Sequence, residues 1–138
     1  MNRRLAPILA TIGMLLMTCG CDKDSPSIVG KWMGIAPDKE KITYHFKADN
    51  TLIWTVDSPD ESFSTSAKYS IDYTTKPIQI DIFDFSFSPL KEFLFFGIIE
   101  FNGMDKLILY GEPSNATKGI TKRPAMLGTD SIEFERTE

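Results

Sequence analysis

The chain has 138 residues, 42% of them hydrophobic and 25% charged, which sizes it for one globular domain. Its 19 acidic residues outnumber 15 basic ones, and no basic cluster is present, which argues against nucleic acid and against electrostatic docking on anionic lipid. Two cysteines and one histidine are too few to build a structural zinc site, so no metal and no cofactor are expected.

The first element in chain order is a segment of different composition. Met1-Asn2-Arg3-Arg4 is basic, Leu5 to Met17 is apolar apart from Thr11, and small residues with cysteine follow. Basic, then apolar, then small is the order of a secretory signal. The apolar run is 13 residues long, short of the roughly 20 that a spanning helix needs. Gly20 then precedes Cys21, and the stretch Thr18-Cys19-Gly20-Cys21 resembles a bacterial lipobox. That resemblance implies a diacylglycerol on the Cys21 sulfur, cleavage just before Cys21 and acylation of the new amine. Thr18 stands where Leu is usual. The alternative, Cys19 after Leu16-Met17-Thr18, has the better Leu and a poorer residue at the cut. Cys21 is preferred because the small residue belongs next to the cut. Two or three acyl chains anchor stably where one does so marginally. The reading divides the chain into a signal peptide at 1–20, a tether at 21–27 and a domain at 28–138. Loss of Arg3 and Arg4 takes the basic residues from 15 to 13 against 19 acidic ones, a net charge of −6, and leaves no thiol pair in the domain.

Beyond Ile28 the signals are those of strands, in period-2 alternation. They fall at Gly30–Ala36, Lys41–Lys47, Thr51–Val56, Phe63–Tyr73, Ile78–Phe83, Phe93–Phe101, Lys106–Tyr110 and Ser131–Arg136. Phe93–Phe101 is apolar on both faces and is expected to be the most buried. Asn102-Gly103 marks a hairpin. Glu112 to Leu127 reads as a long, turn-rich connection. Eight strands with mostly hairpin-length links predict an all-β fold, and an antiparallel eight-stranded barrel is preferred over a sandwich because closure removes exposed edges.

Particular residues carry a resemblance over about Ile28 to Arg136. They are Gly30-Lys31-Trp32, Lys76-Pro77-Ile78-Gln79-Ile80-Asp81, Gly97 to Leu107 with Asn102-Gly103 inside it, and Arg123-Pro124. In that order the chain resembles the lipocalin-like bacterial domain first described as an uncharacterised family of planctomycetes. The opening Gly-x-Trp is shared with true lipocalins. The resemblance implies a lipocalin-like barrel with Trp32 packed across a closed end, and Arg123 or Arg136 over Trp32 as a structural cation–π contact. It implies no activity.

No nucleophile–base pair assembles from the residues present, so no catalytic residue is assigned and no enzyme is expected. His45 alternates outward from Ile42, Tyr44 and Phe46, and Asp81 outward from the three isoleucines around it. Asp57, Asp60 and Glu61 read as a solvated loop. The unusual stretch is Ile82 to Phe96, dense in phenylalanine. A ligand site, if the barrel has one, is expected there, with Phe83, Phe85 and Phe87 joined by Trp54 and Tyr69. The expectation is a non-enzymatic lipoprotein on the cell membrane or outer membrane of a bacterial envelope. It would meet the membrane through covalent lipid and bind a small apolar ligand or an envelope protein; the alternative is a solid-core envelope interaction or structural protein, and after it a hydrolase.

Overall fold

The computed structural model describes residues 25–115 and 122–138. The segment expected to be a signal peptide, with Cys19, and the expected anchor residue Cys21 lie outside the described residues.

Eight strands close into an antiparallel barrel in simple chain order: β1 (Gly30–Ile35), β2 (Lys41–Phe46), β3 (Thr51–Asp57), β4 (Ser62–Asp72), β5 (Ile78–Phe83), β6 (Phe93–Asn102), β7 (Lys106–Asn115) and β8 (Ile132–Arg136). β8 returns to β1 through Trp32↔Arg136 and Gly34↔Phe134, so neither strand is left as an edge. The all-β, eight-stranded antiparallel barrel expected from the alternation is the fold observed.

Alternation sorts the side chains as the period requires. Ile42, Tyr44 and Phe46 of β2, Ala67 and Tyr69 of β4, Ile80 and Ile82 of β5, and Leu107 and Leu109 of β7 point inward and are buried. Phe134 reaches the interior from β8 and is fully buried. Rings meet one another across the interior: Tyr44 against Phe134 at 5.1 Å, Phe46 edge-on to Tyr69 at 5.0 Å, Tyr44 against Trp54 at 6.1 Å. The centre of the barrel is thus a packed aromatic core.

Three departures from simple alternation have local causes. First, Asp84 takes a left-handed conformation (φ 54°) just after β5. It adds a residue out of phase, while Ser86 N–H still bonds the Ser66 carbonyl at 2.8 Å. Phe85 therefore turns inward although it is odd-numbered against Ile80 and Ile82. Second, β7 runs on to Asn115, into the stretch read as turn-rich, because β6 supplies partners as far as Phe93↔Asn115. Third, the outer face of β6 is covered. Ile98 is buried at 1% exposure and faces away from the core, between Gly97, whose carbonyl takes the Arg123 guanidinium, and its register partner Tyr110, against which Gly128 lies. Two-sided burial at Gly97 to Ile99 accounts for the two-sided apolar run.

Candidate functional site

One end of the barrel is closed by the residues that enter it. The Trp32 side chain is fully buried, and its indole N–H donates to the Ile28 carbonyl at 2.7 Å. The Arg136 guanidinium lies 4.1 Å over the Trp32 ring. The same guanidinium donates to the Val29 carbonyl at 2.8 Å, the Ser27 carbonyl at 2.7 Å and the Met104 carbonyl at 3.1 Å. Ile28 N–H is held by the Tyr73 hydroxyl at 3.1 Å. Gly30 permits this arrangement: its φ is +136°, and a Cβ there would meet the Arg136 guanidinium. The segment before β1 is thereby strapped across the barrel end, and Arg136 is the cation that packs on Trp32.

Arg123 has a different structural place. It lies on the outer face of β5 and β6, where it donates to the Ile80 carbonyl at 3.2 Å and the Gly97 carbonyl at 2.9 Å, and pairs with Asp81. Its guanidinium sits 5.1 Å from the Phe96 ring centroid. Asp81, expected as a solvated strand carboxylate, is tied down by this contact. Arg123 fixes the buried Pro124 and the residues after it against the barrel wall.

Beside the strapped end is a groove of about 990 Å³. It exists because the strands there have unequal lengths. β5 begins at Ile78, paired with Ile99, whereas β6 continues through Glu100 and Phe101 with β7 alone. The turn at 73–77 passes over the gap. The floor is Ile78, Ile99 and Phe101. One wall is Ser25 to Ser27, the beginning of the described chain, and the other is Ala125 to Leu127. Met126 is 75% exposed at that rim, an unusual position for a large apolar side chain. Lys76 is the one cation of the lining and Glu100 the one anion.

The residues expected to hold a ligand do not line this groove. Tyr69 is buried in the core and its hydroxyl donates to the Lys47 carbonyl at 2.6 Å. Burial raises its phenol pKa, with Tyr73 and Asp49 adding to the shift. Phe85 packs on Trp54 at 6.0 Å inside the opposite end of the barrel. The Trp54 indole N–H is buried there without a partner. Phe83 shares the outer face with Lys68, its register partner. Phe87, 42% exposed, packs edge-on against Phe63 at 4.8 Å. The phenylalanine-rich stretch is divided by the bulge at Asp84 into core, wall and surface residues. Among the described residues no cluster of three or more His, Cys, Asp or Glu could hold a metal ion.

Sequence reasoning missed the groove because its lining comes from four separate parts of the chain. The signals were the apolar residues Met126 and Leu127 in a polar connection, and a β6 longer than its neighbour β5. In comparisons with known proteins, no family model, no curated protein and no solved structure matches the chain.

Proposed function

We propose that this protein is a lipid-anchored lipoprotein of a bacterial envelope, of the lipocalin-like class, that binds a small apolar ligand without chemistry of its own. One observation carries the ligand-binding part: an apolar groove of about 990 Å³ opens beside the barrel end to which the N-terminal segment is strapped. That volume is at the upper part of the range of ligand sites, roughly 300–1,000 Å³. The packed aromatic interior argues for binding at this groove rather than inside the barrel.

Anchoring rests on the signal pattern and on Cys21. Native mass spectrometry of the mature protein, purified from its own envelope, tests the ligand: a reproducible extra mass is expected, and its absence would speak for a solid interaction module. Radiolabelled palmitate tests the anchor. Incorporation in the wild type should be lost in Cys21→Ala; label lost only in Cys19→Ala would move the anchor.

A further inference from the structure

We infer that the groove takes a single-chain amphiphile with a monoanionic head, such as a long-chain fatty acid, drawn from the membrane below it. This rests on the ligand-binding reading above and names its ligand class.

Position comes first. The groove wall includes Ser25, and with an anchor on Cys21 only three residues, Asp22 to Asp24, lie between the anchor and that wall. The four residue-to-residue steps from 21 to 25 reach about 13–14 Å at full extension. The strap is not free to swing, because Arg136, Trp32 and Tyr73 hold Ser27, Ile28 and Val29 to the barrel. The anchored molecule therefore keeps this end, and the groove with it, at the membrane.

The chemistry of the lining selects among lipids. Ile78, Ile99, Phe101 and Met126 offer an apolar bed with no charged group in its floor. A two-chain lipid gains little by leaving one apolar medium for another. A single chain is held by a bilayer only marginally, so a protein groove competes for it. At the rim, Lys76 enters no ion pair among the described residues, and neither does Glu100. The Thr75 hydroxyl is already committed, donating to the Asp72 carbonyl and accepting from Gln79 N–H. Lys76 is thus the group left to meet a head. Glu100 nearby disfavours a dianionic phosphate and leaves a carboxylate at Lys76 as the matching charge.

The test is photolabelling of the full mature lipoprotein in phosphatidylcholine vesicles with a diazirine-bearing palmitate, adducts being mapped by peptide mass spectrometry. Adducts are expected on the peptides holding Pro77–Ile78 and Met126. Met126→Glu, at an exposed position, should cut the yield by about fivefold or more, because it puts a charge on the apolar bed. Lys76→Glu should lower labelling by the carboxylate probe and spare its methyl ester. Phe87→Glu, at the far end of the barrel, should change neither. Adducts spread evenly over the surface, or centred on Phe63 and Phe87, would overturn the site. Equal response of acid and ester to Lys76→Glu would overturn the anionic head. A co-purifying mass without palmitate adducts would reject this ligand class and keep the ligand-binding reading; absence of both would reject both.

Discussion

Arg136 joins parts of the chain that are far apart in sequence. It sits over Trp32 and satisfies carbonyls at Ser27, Val29 and Met104. Lysine keeps the charge but lacks the planar fork that reaches several acceptors at once. Arg136→Lys is expected to cost about 2–3 kcal/mol in urea unfolding, from lost charge-assisted hydrogen bonds and part of the cation–π contact. Tyr44 gives a pH prediction. Full burial pushes its phenol well above the ordinary value of 10.0. The unfolded chain therefore ionises first. The stability this tyrosine contributes is complete below about pH 10 and declines as pH rises above it. Tyr69 and Lys106 are also raised and act in the same direction. Tyr44→Phe should thus flatten, without abolishing, the alkaline fall in melting temperature.

At the scale of elements, β6 and β7 show how inward-facing glycines make room for a large ring. Gly97 and Gly111 are register partners, and the Phe95 ring lies across Gly111 so closely that a Cβ there would collide with it. Gly111→Ala is expected to destabilise by about 1–3 kcal/mol, the usual cost of overpacking. A double-mutant cycle with Phe95→Leu checks the cause: the smaller ring-free side chain should recover part of the loss. Outside the same strands, Arg123 is tied to the Ile80 and Gly97 carbonyls and to Asp81, and Gly128 of the same segment lies against Tyr110, the register partner of Ile98. Arg123→Ala should raise amide exchange in β6 around Ile98 more than in β2 or β3, read by hydrogen–deuterium exchange.

The whole molecule has two unlike ends. One carries the strap, the groove and the β6–β7 turn; the other carries the connections at 36–40, 58–61 and 84–92. The proposed anchor at Cys21 would turn the strapped end to the bilayer and leave the other end about a strand length away. Single fluorophores at Met104→Cys and Phe87→Cys, both exposed sites, separate the two ends. In vesicles containing brominated lipid, the Met104 position should be quenched and the Phe87 position spared. Equal quenching would mean that the strap does not orient the barrel.

Period-2 alternation was enough to read the strands and the all-β class, because inward and outward residues along a closed sheet differ in the solvent they see. Tyr44, Ile80 and Leu107 face the core as their alternation requires. The cysteine arrangement at 18–21 carries the anchor hypothesis by itself, since processing signals are read as linear sequence. Alternation has no information about an added residue, so the turn of Phe85 inward after Asp84 was invisible. Nor does a local pattern say which distant cation lies over Trp32; Arg123 and Arg136 are both basic residues late in the chain, and only barrel closure pairs Trp32 with Arg136. The groove was least legible of all. It arises from the mismatch in where β5 and β6 end, with walls from residues 25–27 and 125–127, and only the closed tertiary structure brings those pieces together.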